Sequence, residues 1–200
     1  MTDAFSQAAT TAHYRELVRR HGPTPAAAQI SHEGQRFRFA KLLEVGDLTG
    51  REIVDLACGV GDLFPLLRER APGCRYTGID IVPEMVDLAC KRFPAANFVC
   101  RDVLAHGLGG TYDIGFISGL FNNARDDGDR FMEEILLALY AGCREAIAFN
   151  FISTHVNRID PGMGYHDPAR VLDFCSRRLA RRIRLQHHYE RCDVAVFVYR

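Results

Sequence analysis

Beyond Gly50 the apolar positions gather into short runs rich in β-branched and aromatic residues. Residues 52–58, 75–81, 97–103, 112–118 and 145–152 read as strands. Between and after them, residues 63–70, 83–93, 130–140 and 168–179 read as helices. Strand alternating with helix is the pattern of βαβ units around a parallel sheet. Two further strand-like runs, 181–189 and 194–200, leave only residues 190–193 between them, and so short a connection requires an antiparallel hairpin. The first fifty residues read as helical, with a break at Gly22-Pro23-Thr24-Pro25. In 31–45, Phe37, Leu42 and Val45 alternate with charges, while Phe39 and Leu43 add apolar area, as suits a helix packed on a larger core. The pattern predicts an α/β fold. A doubly wound, mostly parallel seven-stranded sheet ends in an antiparallel hairpin and carries helices on both faces. Residues 1–50 form an N-terminal helical lid, and residues 51–200 the ligand-binding part of one structural domain.

The chain has 200 residues, enough for one hydrophobic core. Its 25 Lys and Arg balance 25 Asp and Glu, so it lacks the broad positive field of nucleic-acid binders. No nucleic-acid partner is expected. Nor is a membrane partner, because no run has the length and apolarity of a transmembrane helix. The first ten residues lack the basic region and apolar run of a signal peptide. Seven cysteines without a CxxC pair suit free thiols in a reducing cytoplasm, and no metal site is expected. One basic cluster, Arg177, Arg178, Arg181, Arg182 and Arg184, reads as helix C-terminal charge plus a solvated strand face rather than an anion site.

Chemistry concentrates at the strand ends. The first strand runs into Asp55-Leu56-Ala57-Cys58-Gly59-Val60-Gly61-Asp62. Ligands of doubly wound sheets bind beyond the carboxyl ends of the strands, and small residues there let a ligand approach the backbone. The dinucleotide spacing GxGxxG is not met, which argues against a nicotinamide oxidoreductase. The second strand ends in Gly78-Ile79-Asp80-Ile81, where an acid can accept both hydroxyls of a ribose. The third ends in Cys100-Arg101-Asp102-Val103, where a carboxylate can accept from an adenine amino group. Any one of these aspartates alone would serve equally as a turn or cap residue. Three in order, at consecutive strand ends, point to a nucleoside.

These residues resemble the class I S-adenosylmethionine methyltransferases. Their DxGxGxG motif is similar to Asp55 through Gly61, with Ala57 in the first glycine's place. Their acids after strands two and three match Asp80 and Asp102. The resemblance runs from about Glu52 to the C-terminus. It implies a Rossmann-like domain, S-adenosylmethionine as cofactor, and cofactor contacts at Asp55, Ala57, Cys58, Gly59, Gly61, Asp80, Ile81, Asp102, Val103 and Ser118. A narrower resemblance, to small bacterial members of unassigned substrate, rests on three segments. They are Glu33-Gly34-Gln35-Arg36-Phe37-Arg38-Phe39, Ala148-Phe149-Asn150-Phe151-Ile152-Ser153-Thr154 and His187-His188-Tyr189.

The fourth strand ends in Ile117-Ser118-Gly119-Leu120-Phe121-Asn122-Asn123, the loop that in the family separates sulfonium from acceptor. The Asn/Asp-Pro-Pro-Tyr loop of amino-directed DNA methyltransferases and the acidic metal pattern of catechol-type enzymes are both missing. The implied reaction is in-line methyl transfer to a small-molecule acceptor, for which no catalytic residue is obligatory. Acceptor-side candidates are Asn122, His155, Tyr165, His166 and His187. No Lys or Arg lies between Arg51 and Arg68, so Arg38, one helical turn before Leu42, is the expected partner of the cofactor's carboxylate. Arg36 is expected to point elsewhere. The same fold also permits cyclisation or transfer of the cofactor's aminobutyrate arm, or a non-catalytic cofactor-binding role.

Overall fold

The computed structural model describes residues 7–22, 32–187 and 192–200. Pro23-Thr24-Pro25 of the expected helix break, the end of the sixth strand, most of the hairpin turn, and His188-Tyr189 lie outside the described residues. Two helices, α1 (Gln7–His21) and α2 (His32–Leu42), come first, and a 3-10 turn, Leu43–Val45, follows α2. The alternating part is β1 (Glu52–Leu56), α3 (Leu63–Arg70), β2 (Arg75–Asp80), α4 (Pro83–Arg92), β3 (Asn97–Cys100), α5 (Val103–His106) and β4 (Tyr112–Ile117). It continues through α6 (Gly128–Ala141), β5 (Cys143–Ile152), α7 (Pro168–Arg178), β6 (Arg182–Gln186) and β7 (Asp193–Tyr199).

The strands form one seven-stranded sheet in the order β3-β2-β1-β4-β5-β7-β6. β1 to β5 pair in parallel, and β7 runs antiparallel between β5 and β6. Strand order reverses at β1 and β4, so a crevice opens beyond their carboxyl ends. Period-two alternation divides the apolar residues between the two faces. Ala195 and Phe197 of β7 join Ile53, Phe116, Leu42, Leu63 and Leu67 on one side. Val194, Val196 and Val198 join Phe149, Leu136 and Leu139 on the other. Both faces are covered, which is why these strands read as near-continuous apolar runs.

In α2, Phe39 and Leu42 are buried in the first core, and the helix packs on β5 and β7. In α1, Tyr14 and Val18 pack with Val60, Val82 and Met85, over α4 and the loop after β1.

The strands stop where a backbone turn is specified. β1 ends because Ala57 takes φ +60°, a left-handed conformation that glycine adopts without strain. β2 ends because the Asp80 carboxylate accepts the Val82 N–H at 2.9 Å, turning the chain toward Pro83 in the first turn of α4. β3 ends at Cys100, short of the expected Val103. Asp102 accepts from Leu104 N at 3.0 Å and Ala105 N at 3.2 Å, starting a one-turn helix that the sequence pattern did not mark.

Ala57 carries a testable cost. A non-glycine residue in left-handed backbone costs about 1–2 kcal/mol, against about 0.4–1 kcal/mol of extra unfolded-chain entropy for glycine. Ala57→Gly is expected to raise stability by about 1 kcal/mol, read as a shift in the urea midpoint at constant slope. A lowered midpoint would mean that the Ala57 methyl makes contacts worth more than the strain.

Candidate cofactor and acceptor site

A cavity of about 260 Å³ occupies the crevice beyond β1 and β4. Of the residues marked by the sequence, Arg38, Asp55, Ala57, Cys58, Gly59, Asp80, Ile81, Asp102, Val103, Ser118 and Asn122 all line it. Gly61 does not. Its φ is +82°, and a Cβ there would lie 2.8 Å from the Phe98 ring and 3.1 Å from Phe93. The residue is glycine because two rings pack against it, and a cofactor contact is not what the geometry supports.

The acids divide by their partners. Asp55, 3% exposed, accepts the Tyr76 hydroxyl at 2.8 Å. Burial pushes its carboxyl up to about 7, with the neighbouring charges of Asp80 and Asp62 adding to the rise and the Tyr76 bond opposing it. Asp80 accepts the Gly59 N–H at 2.8 Å on one oxygen and the Val82 N–H on the other. Burial raises its carboxyl as well, against those backbone bonds. A carboxylate has about four acceptor sites, so Asp80 keeps capacity for hydroxyl donors. Asp62, unmarked in the sequence, pairs with Arg92 at 2.8 Å and accepts from Gln35 at 3.1 Å.

Arg38 faces inward and Arg36 is exposed, as the helical spacing predicted. Arg38 also has a partner that no local pattern shows: its Nε lies 2.8 Å from the Asp193 carboxylate of β7.

The loop after β4 is braced from three directions. Asn150 of β5 accepts the Gly119 N–H at 2.9 Å. Gly164 N donates to Asn122 O at 2.9 Å, beside a β-bridge between Asn123 and Met163. His166 lies beneath, 5% exposed, with Nδ1 2.8 Å from Asp129 and Nε2 3.2 Å from the Phe121 carbonyl. A fourth contact ties the loop to α1: Asn123 Nδ2 donates to the Tyr14 hydroxyl at 2.6 Å. Burial raises the Tyr14 phenol, partly offset by that bond.

The other acceptor-side candidates are not brought to the cavity. His155 is exposed and sits beside His187, ring centroids 6.0 Å apart, outside the lining. The Tyr165 hydroxyl is taken by the Asp160 N–H at 2.9 Å, a bond local to its own loop. His166 supports the loop from behind instead of facing the crevice. All belong to the segments after β5 and β6, whose course the strand pattern alone does not determine. Sequence reasoning missed Tyr14, Arg125, Phe131 and Met163 among the lining residues, and had Asn123 only as part of the loop after β4. Of these, Asn123 and Arg125 had a usable signal, since they follow the β4 end directly.

Three arginines of the basic cluster at 177–184 are engaged within the protein. Arg177 pairs with Asp173 at 2.7 Å, Arg182 donates to the Arg200 carbonyl at 3.0 Å, and Arg184 stacks over Phe197. Among the described residues no group of His, Cys, Asp and Glu is arranged to hold a metal ion, and no helix is long and apolar enough to cross a membrane.

Residues 53–142 match a family model described as a methyltransferase domain. The chain is 32% identical over 155 residues to Rv1506c of Mycobacterium tuberculosis, a protein that carries a methyltransferase name, covering 73% of this chain and 91% of the other. It is 37% identical over 92 residues to the malonyl-(acyl-carrier protein) O-methyltransferase of Acetivibrio thermocellus, covering 44% of this chain and 32% of that longer protein. In fold it is similar to magnesium protoporphyrin IX methyltransferase from Synechocystis PCC 6803 with bound SAH. There the TM-score is 0.67 at 18% identity, over 99% of this chain and 97% of the other.

Proposed function

The chain belongs to the class I S-adenosylmethionine-dependent methyltransferases, and from that premise we propose that its crevice holds this cofactor beside a small-molecule acceptor and transfers the methyl group to it. One observation carries the proposal: Asp55, Asp80 and Asp102 of three successive strand ends line a single cavity with the loop Ala57–Gly59. When bound, the cofactor supplies a methyl carbon activated by positive sulfur. Asp80 is the acceptor for the ribose hydroxyls and Asp102 for the adenine amino group, with Ile81 and Val103 as apolar flanks. The loop at Ala57, Cys58 and Gly59 admits the cofactor's chain against backbone, and Ser118 lies at the end of β4 opposite it. Arg38 supplies the cation for the carboxylate. Tyr14, bonded to Asn123, brings α1 against the loop after β4, where it would shield the acceptor from water. The compartment we propose is the cytoplasm, where all seven free cysteines stay reduced. The balanced charge supports a partner that is not nucleic acid.

Titration calorimetry tests the cofactor. S-adenosylmethionine and S-adenosylhomocysteine are expected to bind and NAD is not. Asp80→Ala is expected to weaken binding by about 2–3 kcal/mol, roughly 30- to 150-fold, because buried hydroxyls lose a charged acceptor. Unchanged affinity in a folded variant would refute the assignment. Product analysis tests the reaction: S-adenosylhomocysteine should accumulate only when an acceptor is added. Consumption of cofactor alone would point to cyclisation, and tight binding without turnover to a non-catalytic module.

A further inference from the structure

Among the described residues, the cavity wall offers no free base. Among the described residues that line it there is no histidine and no lysine. Its four carboxylates are engaged: Asp55 by Tyr76, Asp62 by Arg92 and Gln35, Asp80 and Asp102 each by backbone N–H groups. Burial holds the Tyr14 phenol and the Cys58 thiol protonated by raising both. Among the described lining residues, no histidine, lysine or carboxylate without a partner is there to take a proton from a hydroxyl or an ammonium group.

What the wall does offer is donors. Asn122 is only 7% exposed, its side-chain oxygen is buried without a hydrogen-bond partner among the described residues, and its Nδ2 is the donor of the same group. Three residues on, Arg125 enters the same wall with its side chain 13% exposed. Its Nε and Nη2 fork onto Asp127 at 2.9 and 3.3 Å, and its guanidinium lies 4.1 Å over the Phe131 ring. That stacking fixes the plane of the fork, and Nη1 is the edge that Asp127 does not use. Asp127 itself is 56% exposed, so water screens its charge more than that of the guanidinium.

We propose that the acceptor is a carboxylate, ionised at neutral pH without help, and that Asn122 and Arg125 hold one of its oxygens while the other is methylated. The proposal rests on the methyl-transfer reading above and specifies its substrate class. A lone pair of the carboxylate oxygen forms the new O–CH3 bond, the S–CH3 bond breaks, and its electron pair returns to sulfur. The positive charge of sulfur and the negative charge of the carboxylate cancel, no proton moves, and the product is a methyl ester. This chemistry needs no base, which is what the cavity provides.

The test uses the full-length protein, with cofactor binding first established by calorimetry. Failure there would overturn the methyl-transfer reading itself, independently of the acceptor class. The protein is then incubated with cofactor labelled in its methyl group and a panel of mono- and dicarboxylic acids, alongside matched amines and phenols. Products are treated with alkali. Methyl esters release the label as volatile methanol, whereas ethers and methylamines keep it. Label is expected only on carboxylic acids and in alkali-labile form. Arg125→Ala should raise the carboxylate KM at least tenfold with S-adenosylhomocysteine affinity unchanged, and Arg125→Lys should recover part of the loss. Alkali-stable label on an amine or phenol would overturn the proposal. So would carboxylate turnover indifferent to Arg125, or a cofactor-binding protein that labels none of the acids.

Discussion

Alanine in place of Arg38 is expected to lower the stability of the folded chain by about 3–5 kcal/mol, the range for removing one partner of a buried ion pair. Arg38 and Asp193 are 17% and 5% exposed and 2.8 Å apart, joining α2 to β7. Removing the guanidinium leaves the Asp193 carboxylate in a closed site without its cation. Arg38 is also the proposed partner of the cofactor's carboxylate, so the single variant confounds folding with binding. Combining Arg38→Ala with Asp193→Asn separates them. The double variant is expected to recover most of the urea midpoint, because no buried charge is then unpaired, but not the affinity for S-adenosylmethionine. Recovery of both would mean that Arg38 serves only the α2–β7 joint. Arg38→Lys should keep part of the stability and less of the affinity, since an ammonium cannot reproduce the fork of the guanidinium. The exposed Arg36 is the control, with changes expected within about 0.5 kcal/mol.

Much of this arrangement is written locally. Both faces of the sheet are buried, so strands such as Asp193–Tyr199 are almost uniformly apolar and separate readily from the charged helices. The aspartates at the ends of β1 and β2 and beyond β3 are visible because the parallel sheet puts every strand end on the same edge. What escaped the sequence are contacts between distant positions. Tyr14 meets Asn123 across 109 residues, and Arg38 meets Asp193, with no period or motif joining them. Histidines mislead for the opposite reason. Their chemistry marks His155 and His187 as candidates, yet the segments that carry them place both away from the crevice. Gly61 fits the motif but is required by the rings of Phe98 and Phe93. Asp102 shows that a cap and a cavity-lining residue are not alternatives, because the same carboxylate turns the chain into α5 and lines the crevice.

Asp55→Asn is expected to stabilise the ligand-free protein while weakening its hold on the cofactor. Burial lifts the Asp55 carboxyl from 3.8 to about 7, so between these values the folded chain holds a proton that the unfolded chain has lost. Stability therefore falls as pH rises through that window and reaches its full penalty above about pH 7. A rise of that size corresponds to about 4 kcal/mol at pH 8 and about 1–2 kcal/mol at pH 5. Asparagine removes the ionisation, and its side-chain oxygen can still accept the Tyr76 hydroxyl. The melting temperature of Asp55→Asn should accordingly exceed that of the parent most at pH 8, with the gap narrowing toward pH 5. The cofactor reverses the sign, because S-adenosylmethionine carries one more positive charge than S-adenosylhomocysteine. A buried carboxylate that is strained alone is expected to be relieved where that cation binds beside it. In the parent, preference for S-adenosylmethionine over S-adenosylhomocysteine should grow between pH 6 and 8 as Asp55 ionises. In Asp55→Asn the preference should be smaller and flat across the same range. A higher melting temperature with an unchanged, still pH-dependent preference would assign Asp55 to the Tyr76 contact alone and leave the sulfonium's counter-charge to another acid in the wall.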